Sequence, residues 1–471
     1  MNANHPEFRP DRHPAISYDE ILNLESRPVP EYLREGRVVD FGPEPIAASR
    51  YFARDFFEKE ATHVWHRTWQ MACREEDIPN VGDFHIYEIL GRSLIVTRIS
   101  ETEIKAFHNT CLHRGRKLVT SNGCRNEFKC PYHGFTWNVD GSFKHNPIGW
   151  DFQHVAQENF SLPEALADRW GGFVFVNFDP SAKPLMDYLW PVAKDFERFD
   201  FANRVRVAWV QKVVPANWKA TSEAFMEAHH SVTTHPQILP GIADANSQYD
   251  VPNDWVTRQF SATGITSPFL TPLSEEEIFA YLTGRKMKIK VNDQMNAGPA
   301  LPEGMTARAR LAEISRETLS KDIGEDFSHA TDAEMLDSIL YNVFPNACFW
   351  AGYASNLIYR WRPNGTDPDT SIMDVMVLKP YDKAKERPRP APVQRIEIDE
   401  PWSLAEGQFG VDLCAIFDQD MGNLRFVQEG LKASRSGTVV LGQYSEQKIS
   451  HLHKTIDRMI AEGEAVTRPA M

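Results

Sequence analysis

The sequence predicts an α+β chain: a small all-β domain followed by a larger catalytic domain with an antiparallel sheet flanked by helices. Three observations predict it. Hydrophobic alternation broken by tight-turn signals runs from about residue 81 toward 178. From about 217 onward, helical periodicity interleaves with β-prone runs. The 471 residues are 42% apolar and 25% charged, a globular composition with room for two or three domains.

The elements follow in order. Residues 1–46 are Pro-rich and charged, and read as an arm packing on the larger domain. Residues 50–70 carry Tyr51, Phe52, Phe56, Phe57, Val64, Trp65 and Trp69 at helical spacing. Phe84 and Ile86, a break at Gly91, then Leu94-Ile95-Val96 predict a hairpin. A second hairpin is expected over Trp137 to Phe143, turning at Asp140-Gly141. The first domain is therefore placed at 47–178 and the second at 179–471. A helix is expected over 217–232. Ser274 to Glu277 and Thr331 to Glu334 both fit capping boxes ahead of helices. Strands are expected at 340–350 and 355–362, the latter turning through Pro363-Asn364-Gly365 into 371–379. Residues 387–392 alternate Pro with Arg and Ala and form an extended connector, and a last helix spans 445–462. The sequence contains no internal repeat.

Charge excludes two classes of partner. Lys plus Arg number 51 against 65 Asp plus Glu, a net charge of −14, which disfavours phosphate backbones and anionic membranes. The most apolar run, Gly172 to Val176, is too short to span a bilayer, and Met1 to Arg12 has no export-signal core. Six cysteines are too few for a disulfide scaffold, so a reducing, cytoplasmic location is expected. Cysteines with a task are then ligands or nucleophiles.

Cys111-Leu112-His113 is followed sixteen residues later by Cys130-Pro131-Tyr132-His133. Two thiolates and two imidazoles can hold a tetrahedral Zn²⁺. They can equally hold a [2Fe–2S] cluster, with Cys111 and Cys130 on one iron and His113 and His133 on the other. A zinc finger would continue into a helix, whereas Gly134-Phe135-Thr136-Trp137 leads into a hairpin. Cys-x-His-Arg-Gly and Cys-Pro-x-His-Gly-Phe resemble the two cluster loops of the Rieske family. Arg116 and Tyr132 stand where respiratory members carry an extra cysteine pair, so the resemblance is to the oxygenase and ferredoxin branch. Cys124 reads as a non-ligand, and Cys73, Cys348 and Cys414 as core residues.

A second constellation lies in Asn217-Trp218-Lys219 through His235-Pro236. On a helix Glu223, Glu227 and His230 share one face, His229 points to another, and His235 lies at or past the helix end. An isolated histidine is ordinarily a core or surface residue. Two histidines with one remote carboxylate instead suit the facial triad of non-haem Fe(II) oxygenases, which leaves coordination positions open. The carboxylate is sought near Phe417-Asp418-Gln419-Asp420, ahead of Val427-Gln428-Glu429-Gly430-Leu431.

Taken together these motifs resemble the large (α) subunit of Rieske non-haem iron, aromatic-ring-hydroxylating oxygenases, over about 45–460. The resemblance implies His230, His235 and Asp420 as iron ligands, the aspartate eight residues before Gln428 being the family's. It implies Glu227 as the acid linking an iron ligand to a cluster histidine of a neighbouring subunit, a place more often held by Asp. It also implies a homotrimer, or a heterohexamer with a small β subunit. Electrons would come from an NAD(P)H-dependent reductase, with or without a ferredoxin, since the chain has no Gly-x-Gly-x-x-Gly fingerprint of its own. The expected reaction is mono- or dihydroxylation of a small hydrophobic ring with O₂. Glu at the bridging position also occurs in monooxygenases of quaternary ammonium compounds, so that class and demethylation are the alternatives. A Rieske electron carrier is the alternative of another kind, although it would need neither His230 nor His235. Phe225, Met226 and Phe344 are candidates for a pocket wall or for core.

Overall fold

A computed structural model of the chain describes residues 16–34, 36–155, 159–286, 300–354 and 356–467. The first fifteen residues of the expected arm lie outside them. The arm's described part begins with the Tyr18–Leu22 helix, closed by a capping box between Ser17 and Glu20. Tyr18, Ile21, Leu22 and Leu33 are buried in one core with Phe260 and Tyr341. Glu25 accepts the backbone N–H groups of Asp332 and Ala333 at 2.8 and 2.7 Å.

The expected 50–70 helix is divided. It opens as a 3₁₀ turn at Ala48–Tyr51, becomes α over Arg54–Glu60 and widens to a π turn over Ala61–Trp65. The widened turn places Trp65 edge-on to Trp218, with ring centroids 5.0 Å apart. Strands then build an antiparallel seven-stranded sheet. The predicted hairpin, Asp83–Ile89 with Arg92–Arg98, lies toward one edge of it. The second predicted hairpin belongs to a small separate sheet of Glu127–Lys129, Thr136–Asn138 and Phe143–His145.

The second large sheet has eight strands and is antiparallel except at one edge. There Gln394–Ile396 runs parallel to Val205–Val214. The antiparallel sheet expected from sequence is present, and this parallel edge carries no local sequence signal because a parallel pair joins segments that a long crossover separates. The predicted 340–350 strand is two strands, Ser338–Val343 and Ala347–Trp350. Pro345 between them has no N–H to offer a ladder, so the run folds back on itself. The next pair, Asn356–Asn364 and Asp367–Lys379, follows the prediction.

The helix expected over 217–232 breaks into Trp218–Glu223 and Ser231–Thr234. Glu227 causes part of the break, since its carboxylate Oε2 accepts the His230 backbone N–H at 3.0 Å. A side chain that takes a main-chain N–H three residues on closes a turn of its own and competes with the helical ladder there. Two long helices, Val411–Ala433 and Gln447–Thr467, complete the fold. Among the described residues no helix is long and apolar enough to cross a membrane.

Arg360 joins the two large sheets. It is buried, pairs with Asp374 at 3.0 Å, and donates to the carbonyls of Met71 and Ala72 at 2.9 and 2.8 Å. Arg206 reaches Asp77 across the same seam at 2.7 Å.

Candidate metal centres

The first centre is made by two matching loops. The Cys111 carbonyl accepts the Gly115 N–H at 2.9 Å, and the Cys130 carbonyl accepts the Gly134 N–H at 3.0 Å. Both glycines hold φ near +75° (+74° and +76°), where a side chain would be strained. Cys111 and Cys130 are each 2% exposed and belong to an aromatic core with Phe128, Phe135 and Trp137. Burial, and then the neighbouring Cys130 thiol, push the Cys111 thiol upward. The His113 and His133 rings lie 4.6 Å apart between centroids. Both Nδ1 atoms are buried without a hydrogen-bond partner. Two buried thiols beside two bare Nδ1 atoms are a donor set that suits a cluster with mixed sulfur and nitrogen ligation. Cys124 sits exposed on the sheet edge, and Cys73, Cys348 and Cys414 are buried elsewhere.

The second centre gathers His230, His235 and Asp420, whose donor atoms all lie within 4.8 Å of one another. Asp420 comes from the Val411–Ala433 helix, where Asp418 faces the other way and accepts the Trp402 N–H at 2.8 Å. Residues two apart on a helix point to opposed sides, which separates the two aspartates. His235 Nε2 is 2.9 Å from Asp420 Oδ1, and His230 Nε2 is 3.7 Å from it. Two imidazoles and one buried carboxylate at this separation fit a divalent iron.

Further groups orient these three. His230 Nδ1 donates to Glu227 Oε1 at 2.5 Å. Glu227 Oε2 also takes a hydrogen bond from His229 Nδ1 at 2.9 Å. The expectation that His229 points elsewhere is therefore corrected: it shares Glu227. Burial pushes the Glu227 carboxyl up, but its bonds to His229 and His230 outweigh burial and hold it at about 2. His235 Nδ1 donates to Gln419 Oε1 at 2.8 Å, and Gln237 donates to the same oxygen at 2.6 Å. Burial opposes the charged form of His235, yet Asp420 raises its basicity overall. Gln419 carries no sequence signal beyond its place beside Asp420.

A cavity of about 200 Å³ opens on the three groups. Phe225 lines it, with Trp350, Leu357 and Tyr359 from the sheet and Ile416 and Phe417 from the long helix. Met226 and Phe344, the other candidates from sequence, are core residues packed with Trp65 and Trp218. A second cavity, of about 400 Å³, shares His230, Glu227 and Asp420 with the first and adds Tyr51, Glu223 and Glu446.

Comparison with known proteins agrees with this geometry. Residues 201–462 match the family model for the ring hydroxylating alpha subunit (catalytic domain), and residues 68–151 match the Rieske [2Fe-2S] domain. The carnitine monooxygenase oxygenase subunit of Escherichia coli (strain K12) is 29% identical over 213 residues, 45% of this chain and 57% of that one. The glycine betaine monooxygenase oxygenase subunit of Pseudomonas aeruginosa (strain UCBPP-PA14) is 30% identical over 202 residues, 42% and 45% of the two chains. The chain thus spans about half the length of these two relatives. The chlorobenzene dioxygenase subunit alpha of Cupriavidus sp. (strain PS12) is 27% identical over 326 residues, 67% of each chain. Two solved structures share the fold. A quaternary ammonium Rieske monooxygenase in complex with an inhibitor superposes with a TM-score of 0.62 at 18% identity, covering 89% of this chain and 96% of that one. Naphthalene 1,2-dioxygenase from Rhodococcus sp. bound to indole gives 0.60 at 20% identity, covering 89% and 95%.

Proposed function

The chain belongs to the family of ring-hydroxylating oxygenase α subunits that carry a Rieske domain, and from that premise we propose that it is the terminal oxygenase of a multi-component system. The observation that carries the proposal is the convergence of His230, His235 and Asp420 on one wall of a largely apolar cavity. In this reading Cys111, His113, Cys130 and His133 hold a [2Fe–2S] cluster, and His230, His235 and Asp420 hold one Fe(II). The chain divides into an arm at 1–46, a cluster domain at 47–178 and a catalytic domain at 179–471. It works in the cytoplasm with an NAD(P)H-dependent reductase, directly or through a ferredoxin.

The bound metals supply one-electron storage and O₂ activation; the protein supplies placement. Glu227 fixes the His230 ring through Nδ1 and so leaves Nε2 turned toward Asp420. Gln419 does the same for His235. The aromatic walls hold an apolar substrate beside the triad and keep bulk water away from it. A cavity of about 150 Å³ takes up benzene, so 200 Å³ suits a substrate of about one ring with a short substituent.

Assembly as a homotrimer, or as a heterohexamer with a β subunit, is supported by the chemistry at the two tips. Arg114, Arg116 and Lys117 surround the cluster loops, and Tyr132 is 56% exposed against His133. The cavity beside His230 carries Glu223, Glu227 and Glu446. A basic tip and an acidic recess complement each other. Glu227 is the acid that would link His230 to His113 or His133 of the partner subunit.

The favoured reaction is mono- or dihydroxylation of a small ring. Monooxygenation or demethylation of a quaternary ammonium compound is the second reading. It is supported by Glu227 at the bridging place and by the names of the carnitine and glycine betaine relatives.

The test is iron and product analysis with a reconstituted reductase over aromatic and quaternary-ammonium compounds. His230→Ala, His235→Ala or Asp420→Ala should each lose the mononuclear iron and turnover while keeping the cluster's visible spectrum. Asp418→Asn should keep both metals. Full activity in His235→Ala would refute the triad.

A further inference from the structure

The sheet wall of the 200 Å³ cavity changes character from strand to strand. The strands Val256–Ser261, Ser338–Val343, Ala347–Trp350 and Asn356–Asn364 stand side by side in that order. The last two give the cavity Trp350, Leu357 and Tyr359. The first two give it Gln259, Ser261 and Ser338, beside Leu340. Ser261 and Ser338 are partners in register, and Gln259 lies two residues before Ser261 on the same face, so the polar side chains form one patch.

The protons of this patch have determined places. Ser247 donates its hydroxyl proton to the Asp244 carbonyl at 2.8 Å, so at 2.5 Å it accepts from Ser261. Ser261, its proton spent, accepts from Gln259 Nε2 over a long 3.5 Å contact. On the other side of the amide, Lys448 donates to Gln259 Oε1 at 3.1 Å. The two contacts agree on one orientation, with the amide oxygen toward Lys448 and the nitrogen toward Ser261. Nε2 carries two hydrogens and spends at most one on Ser261. Gln259 is 5% exposed and Lys448 1%, so the second hydrogen is a buried donor in the cavity wall. Ser338 and Tyr359 line the cavity too, but a hydroxyl turns about its C–O bond and sets no direction.

Resting on the oxygenase reading above, we propose that Gln259 is a specificity residue and that the substrate is a ring whose short substituent carries a neutral acceptor oxygen: a carbonyl, an ether or a hydroxyl. The ring lies against Phe225, Tyr359 and Phe417 beside the triad, and the oxygen takes the second Nε2 hydrogen. A bare hydrocarbon would leave that donor buried and unpaired, which is how polar sites reject apolar analogues. Asp244, Glu227 and Asp420 line the same cavity and disfavour an acidic substituent. Lys448 lies behind the wall rather than in it and is a positioning residue, because it keeps the amide from turning its oxygen to the substrate.

The test measures dissociation constants by calorimetry on the assembled, metal-loaded enzyme without O₂, so that no turnover occurs. The probes are ethylbenzene, acetophenone and benzoate, which carry no acceptor, a neutral acceptor and an anion. Wild type should prefer acetophenone to ethylbenzene. Gln259→Glu keeps an oxygen for Lys448 but loses the amide N–H, and Gln259→Leu loses both. In each, the preference should fall by roughly 3- to 10-fold. Lys448→Met should lower the same preference, and Ser338→Ala should leave it intact. Benzoate should bind wild type at least about tenfold more weakly than acetophenone. The ratio between two ligands is the readout, because a variant that merely loosens the cavity weakens both. If Gln259→Leu disturbs folding by stranding Lys448, Gln259→Glu still decides. An undiminished preference in Gln259→Glu would overturn the assignment, as would its loss in Ser338→Ala. Benzoate as the tightest ligand would overturn the neutral acceptor. An iron-loaded wild type that binds none of the three would overturn the substrate class, whereas a wild type that holds no mononuclear iron would overturn the oxygenase reading itself.

Discussion

Replacing Gln419 by Leu isolates one hydrogen bond at the candidate iron site. Gln419 Oε1 accepts from His235 Nδ1 at 2.8 Å, and His235 is only 3% exposed. Leu fills a similar volume but offers no acceptor, and water cannot easily replace it at so buried a ring. The His235 N–H is then left unsatisfied and the ring is free to turn, so its Nε2 is no longer held toward Asp420. Loss of such a supporting bond typically weakens metal affinity 10- to 100-fold. That corresponds to about 1.4–2.7 kcal/mol. Gln237, which donates to the same oxygen at 2.6 Å, would lose its acceptor as well, which places the expectation toward the upper end. The assay is competition between the protein and a calibrated Fe(II) chelator, with the cluster's visible absorption as an internal standard of intact protein. A Gln419→Leu variant that binds Fe(II) as tightly as the wild type would refute the reasoning. So would loss of the cluster spectrum, because it would mark a general defect.

Four further outcomes are expected. Cys111→Ser or His133→Ala should remove the red-brown colour and the reduced-state paramagnetic signal, and persistence of both signals would exclude these ligands. Glu227→Gln should keep both metal centres but slow cluster oxidation in a single turnover by orders of magnitude; oxidation at the wild-type rate would remove the inter-subunit bridge. The Glu227 carboxyl sits at about 2, below its ordinary value, so its ionised form stabilises the fold above the ordinary carboxyl range. That contribution should be lost as pH falls toward 2, and an acid titration of wild type against Glu227→Gln would show it. Lys219→Met should cost about 3–5 kcal/mol in a denaturation experiment, because it strands the Glu60 carboxylate, 1% exposed, without its partner. A loss below about 1 kcal/mol would mean that Glu60 is protonated in the native protein, as burial favours.

The parts of the site legible in the sequence were those whose ligands are close in the chain. Cys111 with His113, Cys130 with His133, and His230 with His235 each sit within a few residues, so their spacing carries their geometry. Asp420 lies 185 residues from His235 and was reached only through a resemblance to a family pattern. Gln419 was missed because nothing in a helical repeat says which polar neighbour meets a histidine from another element. The Lys448–Gln259 contact was missed for the same reason, since its members lie 189 residues apart. The helix over 217–232 was overextended because periodicity registers apolar faces and not a carboxylate that bonds the main chain three residues on. The sheet's share of the cavity wall, Trp350, Leu357 and Tyr359 among it, lies on strands whose alternation identifies a buried face without saying what it faces.

Arg360 is a long cation that reaches from one sheet into the other, and its partners there are the carbonyls of Met71 and Ala72. Main-chain carbonyls are the same whatever side chains flank them. The tie between the two halves therefore makes unequal demands on them: the catalytic half must retain an arginine and its aspartate, while the cluster half need only present an extended strand at the right height. Exchange of cluster domains between related chains, by recombination or by design, meets little chemical resistance at this contact provided the recipient keeps Arg360 and Asp374. The Arg206–Asp77 and Lys219–Glu60 pairs are points where a graft would have to match side chain to side chain.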